Sequence, residues 1–183
     1  MRILLARHGP VALPASGLFS FADFARYVAE YEQSGLVPGA VPPSALREAL
    51  GDARVFASDA PRVSDTLARL GVTAQTASAD WREAPPDAPH LSVPLPVAIW
   101  LALARLRGAL DPNLSDARAA LEQRAQACAG FLCAQAQDGP VALVGHGWFN
   151  RSTAQALIRR GWRRSAGPGF ARPWGFALFV AAP

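Results

Sequence analysis

The chain has 183 residues, of which 51% are hydrophobic and 17% charged. That composition excludes a mainly disordered protein and is enough for one domain with a full core. The formal net charge is +4, and all 18 basic residues are arginine.

No stretch approaches the ~20 consecutive apolar residues of a membrane-spanning helix. The first apolar run, Ile3-Leu4-Leu5-Ala6, is too short for the core of a secretory signal. A cytoplasmic protein with no membrane partner is therefore expected. Arginine without lysine, beside abundant Ala, Gly and Pro, fits the coding bias of a GC-rich genome. The nearest approach to a nucleic-acid-binding stripe is Arg159-Arg160-Gly161-Trp162-Arg163-Arg164. It follows a helical pattern, where cations complement the helix dipole. Nucleic-acid binding is not expected, and an acidic partner is the most this run suggests. Cys128 and Cys133 have no metal-ligand spacing. Ala134 and Gly139 stand where a thiol phosphatase would carry arginine, so the cysteines read as packing.

In chain order, residues 2–6 read as a buried strand ending at His8-Gly9, and 10–20 as a loop. A helix is predicted over 21–33, and a short one from Pro43-Ser44 to Leu50. A strand at 53–57 runs into a helix at 61–70 that Gly71 ends, and a third strand is expected at 72–76. Residues 84–96 hold five prolines and read as an irregular, lid-like stretch. Helices follow at 97–107 and 115–137, then a strand at 140–144, a helix at 149–160 and a last strand at 176–180. Strands alternating with helices imply a three-layer α/β/α sandwich around a mainly parallel sheet. One domain is expected, with lid-like segments at about 10–45 and 84–115 that carry specificity.

Two of the three histidines share a context. His8 and His146 each end an apolar strand and precede a glycine, Gly9 or Gly147. Ligands bind at the carboxyl ends of strands in such sheets, and glycine allows close backbone approach. A third strand end leads into Ser58-Asp59-Ala60-Pro61-Arg62, placing Arg62 on the first turn of a helix. Helix amino ends favour anions, and the guanidinium fork matches phosphate oxygens. Arg7 points to the same edge. Two arginines and two histidines at one edge describe a phosphoryl site.

The ordered set Arg7-His8-Gly9, Ser58 through Arg62 to Thr66, and His146-Gly147 resembles the histidine phosphatase superfamily, also called phosphoglycerate-mutase-like. Arg151 also falls where that family often has arginine. The resemblance implies that His8 is phosphorylated during turnover, that Arg7, Arg62 and His146 form the phosphate pocket with Gly9 and Gly147 beside it, and that a carboxyl group donates a proton. Glu83 fits that donor best, with Asp80 and Asp87 as competitors. The implied activity is metal-independent and cofactor-free hydrolysis of a small phosphorylated substrate. A mutase, a protein or phosphohistidine phosphatase and a low-activity regulatory module are the alternatives. Pro10, Pro14 and Asp59 depart from the family pattern, which bears on substrate contacts. Trp81, Trp100 and Trp148 are read first as core and second as pocket lining. Nothing in the sequence sets the oligomeric state.

Overall fold

The computed structural model describes residues 1–181. Its centre is a six-stranded sheet in the order β3-β2-β4-β1-β6-β5. In chain order the strands are β1 (Arg2–Arg7), β2 (Arg54–Ser58), β3 (Thr76–Ser78), β4 (Val141–Gly145), β5 (Trp162–Ala166) and β6 (Phe176–Ala181). The helices are α1 (Phe21–Gln33), α2 (Ser44–Leu50), α3 (Pro61–Leu70), α4 (Val97–Leu110), α5 (Ser115–Gln135) and α6 (Gly147–Arg159). β3, β2, β4 and β1 run parallel, while β6 and β5 add antiparallel pairs at one side.

Alternation along β1 divides the core. Ile3 and Leu5 pack with Leu132, Phe149 and Leu157 of α5 and α6. Leu4 and Ala6 face Leu46, Leu50, Val63 and Leu70 of α2 and α3. Strands covered on both faces need the continuous apolar runs found in β1 and β4, and this arrangement is the three-layer sandwich expected from the sequence. A smaller cluster of Phe24, Ala88, Val97, Trp100 and Ala104 joins the two segments between the motifs. Phe19 bridges to Leu95 there, and the Trp100 indole N–H donates to the Phe19 carbonyl at 2.9 Å. Among the described residues no helix is long and apolar enough to cross a membrane.

Three elements differ from the sequence reading. The third strand is not 72–76 but Thr76–Ser78. The Val72 N–H closes the end of α3 on the Leu67 carbonyl, so the chain reaches the edge of β2 only at Gln75, whose N–H meets Val55. The helix after β4 begins at Gly147 rather than 149. Residues 162–166 form an edge strand where the sequence reading had only a basic run; its side chains are exposed after Trp162, so no apolar alternation announced it. Cys128 is buried, and Cys133 packs partly against the same core.

Candidate active site

Strand register brings the motifs together. β1 and β4 are parallel neighbours with Arg7 opposite Gly145, so His8 and His146 leave the sheet side by side. Their ring centroids lie 5.4 Å apart. β2 pairs with β4 through Ala57 and Val144, which sets Ser58 next to His146 and sends α3, with Arg62 near its start, toward the same edge.

His8 is 2% exposed. Its Nδ1 lies 2.8 Å from the Gly9 carbonyl oxygen. A carbonyl only accepts, so Nδ1 carries the proton and Nε2 the lone pair. Burial, aided by the charges of Arg7 and Arg62, pushes the ring down to about 3, so it is neutral at physiological pH. His146 is fully buried and has the opposite tautomer. Arg62 Nη2 donates to its Nδ1 at 3.2 Å, and its Nε2–H donates to Ser58 Oγ at 2.9 Å. Burial and Arg62 push it to about 2.

Arg62 is 1% exposed, and a buried cation needs strong partners. The carboxyl end of α1 supplies them. Arg62 Nη1 donates to the Tyr31 carbonyl at 3.2 Å, and Nη2 pairs with Glu32 Oε1 at 3.0 Å. Carbonyls at a helix C-terminus carry the negative end of its dipole. The Tyr31 ring lies under the guanidinium, 4.8 Å from Cζ to centroid, and 6.4 Å from the His8 ring. Thr66 links α3 to the first motif by accepting from the Gly9 N–H at 3.0 Å while donating to the Arg62 carbonyl at 2.7 Å.

Arg7 is held from the far side by residues 167–175. Its Nη1 donates to the carbonyls of Phe170 and Ala171 at 3.0 and 2.8 Å. Trp174, at φ +62° the one non-glycine residue with positive φ among those described, donates its N–H to the His8 carbonyl at 3.1 Å. A Cβ on Gly9 would lie 2.4 Å from the Trp174 ring, and one on Gly147 would lie 3.2 Å from the Phe170 carbonyl oxygen. The glycines permit this close packing. The Nε donors of Arg7 and Arg62 are buried without a hydrogen-bond partner. Orphan buried donors cost about 1–3 kcal/mol each, and two on neighbouring guanidiniums beside His8 suit an anion.

Glu83 is brought to the same edge by α6. Its Oε1 accepts from the Trp148 and Phe149 N–H groups at 2.7 and 3.0 Å, in the manner of a helix N-cap. This bond explains why α6 starts early. Burial raises the Glu83 carboxyl above its ordinary range, against the pull of these N–H groups and of Arg7 and Arg62. Asp80 is exposed on the turn before it, and Asp87 pairs with Arg107 at 3.2 Å. Arg151 is exposed above the Trp148 ring. Trp81 and Trp100 belong to the core, while Trp148 is 42% exposed.

Sequence reasoning missed Tyr31, Glu32, Asn150 and Trp174. Tyr31 sits on a helix with apolar periodicity and reads as packing. Asn150, fully buried, ties α6 to β1 by donating to the Ala6 carbonyl at 2.8 Å; its place one turn after His146 was the only available signal.

This fold, with two histidines after adjacent parallel strands, is phosphoglycerate-mutase-like. No family model matches the sequence, and no curated protein matches it by sequence. Solved structures do match. A functionally characterised open reading frame product of Mycobacterium tuberculosis has a TM-score of 0.60 at 16% identity, over 97% of this chain and 89% of that one. The phosphoserine phosphatase of Entamoeba histolytica, solved with 3-phosphoglyceric acid, has a TM-score of 0.60 at 13% identity, over 98% and 90%. The phosphoglycerate mutase of Thermus thermophilus has a TM-score of 0.50 at 18% identity, over 97% and 92%.

Proposed function

We propose that this chain is a metal-independent phosphatase that hydrolyses a small phosphomonoester through a phosphohistidine on His8. The observation that carries the reading is the His8 tautomer: Nδ1–H is fixed on the Gly9 carbonyl, which leaves Nε2 as a neutral nucleophile beside the two unpartnered guanidinium Nε donors. The similar solved proteins include phosphatases and a mutase; they support the fold, and the chemistry rests on the site.

In the first step Nε2 attacks phosphorus in line and the ester P–O bond breaks. Protonated Glu83 gives its proton to the departing oxygen. Arg7 and Arg62 hold the equatorial oxygens, with His146 lining the pocket and fixing Arg62, so preorganised charge supplies much of the catalysis. Glu83, now a carboxylate, takes a proton from water as that water attacks phospho-His8. Inorganic phosphate leaves, and both groups return to their starting states.

The test is acid-quench trapping with a ³²P-labelled phosphomonoester. Label is expected on His8 as acid-labile phosphohistidine, and His8→Ala should lose both label and phosphate release. Chelator should leave the rate unchanged. Turnover within tenfold of wild type in His8→Ala, or chelator-sensitive activity restored by a divalent ion, would overturn the proposal.

A further inference from the structure

We infer that the site takes a leaving group that itself carries a negative charge, received by Arg105 and Arg151 on either side of Trp148. The inference rests on the phosphatase reading above and extends it to the substrate's other half.

Trp148 follows Gly147, and its backbone N–H is the 2.7 Å donor to Glu83 Oε1. Residue 148 is therefore held at the carboxyl that would protonate the leaving oxygen, and its ring is held between two arginines. Whatever departs from phosphorus passes that carboxyl, and the ring is 42% exposed there. Arg105 of α4 sets its Cζ 5.3 Å from the ring centroid, and Arg151, one turn along α6, sets its Cζ at 5.4 Å. Cation–π contact orients both guanidiniums without using their N–H donors.

Those donors distinguish the pair. Among the described residues neither Arg105 nor Arg151 makes a side-chain hydrogen bond or an ion pair, and both are exposed. The other arginines of α4, α5 and α6 are occupied: Arg107 pairs with Asp87 and Asp111, Arg118 donates to the Gly108 carbonyl, Arg124 donates to the Asp80 and Arg82 carbonyls, and Arg159 pairs with Glu122. Trp148 donates its backbone N–H to Glu83, which burial disposes toward its neutral form. Two oriented forks around an aromatic ring suit a carboxylate, sulfonate or second phosphate on the leaving group. The two arginines come from α4 and α6, which are separated in the chain by the whole of α5 and β4, so they converge through folding alone.

The test uses 4-carboxyphenyl phosphate and its neutral isostere, 4-carbamoylphenyl phosphate. Wild type should favour the carboxylate in kcat/KM. The double variant Arg105→Ala/Arg151→Ala should lose about 3- to 30-fold on the carboxylate, as expected for two solvent-exposed charge pairs, and less than about twofold on the amide. Equal losses on both substrates, or no loss on either, would overturn the subsite. Calorimetric affinities for the same pair, measured on His8→Ala protein with and without the double change, read the subsite without turnover. If wild type releases no phosphate yet binds the carboxylate in an arginine-dependent way, the phosphatase reading fails and the subsite stands. If turnover is present but binding shows no charge preference, the reverse holds.

Discussion

Glu83 and His8 lie under opposite demands from one environment. Burial holds the His8 ring neutral down to about 3, so in the proposed mechanism its nucleophilicity should not limit the rate across the ordinary pH range. The same burial raises the Glu83 carboxyl, so its acid form persists to higher pH than a solvated glutamate's and is then lost. An alkoxide leaving group needs that proton; an aryl oxide departs with little help. Single-turnover phosphorylation by an alkyl phosphate should therefore be fastest in mild acid and fall as pH rises through the Glu83 titration. An aryl phosphate should show a nearly flat profile. Glu83→Gln should slow the alkyl substrate by the ~10²–10⁴-fold typical of general acids and flatten its profile. Equal slowing of both substrates in that step would remove Glu83 from the role and turn attention to Asp80.

At the scale of elements, legibility followed burial. β1, β4, α1 and α3 carry uninterrupted apolar runs or helical spacing with clear stops, and their residues could be read directly. β5 and the start of α6 could not be: one is an exposed edge rich in arginine, and the other depends on a carboxylate distant in sequence, Glu83. Arg7, His8 and His146 were legible because each ends a readable strand, and Arg62 because it opens the helix that follows one; Tyr31 and Trp174 were not, because their place depends on how α1 and residues 167–175 lie over the sheet edge. That last segment is tightly built. A Cβ on Gly175 would lie 2.2 Å from the Gly169 carbonyl oxygen and 2.8 Å from that of Arg172, and backbone cannot yield there as a side-chain tip can. Gly175→Ala should spread the segment whose carbonyls hold Arg7. A loss of about 1–3 kcal/mol in urea unfolding is expected, as for overpacking elsewhere. Weaker inhibition by vanadate should accompany it, because Arg7 loses its support. Wild-type values in both measurements would show that the segment does not position Arg7.

For the whole molecule, placing two neutral histidines and one raised carboxyl inside the fold makes stability depend on pH in a predictable direction. The folded values of His8 and His146, about 3 and about 2, lie below the ordinary 6.5. Between those values and 6.5 the unfolded chain binds more protons than the native one, so stability rises with pH and is complete above 6.5. Glu83 has the reverse sign: its folded value is raised from 4.5, so its contribution is full below 4.5 and declines as pH climbs through the folded value. Two groups oppose one, and acidification should therefore destabilise. Each histidine contributes up to about 1.4 kcal/mol per pH unit within its window, so the pair accounts for roughly 4 kcal/mol lost between pH 7 and 5, of which Glu83 offsets a part. The size depends little on how far the folded values are depressed, because both lie well below pH 5. Under the proposed mechanism, chemistry on alkyl esters should thus favour acid while the fold favours neutrality, and the working range should lie where the two meet. Denaturant unfolding at pH 7 and pH 5 measures this directly. His8→Asn, which removes one of the two titrating rings, should reduce the pH-dependent loss by roughly half. A wild-type midpoint that stays level, or rises, from pH 7 to 5 would mean that the two imidazoles are not held neutral by the fold.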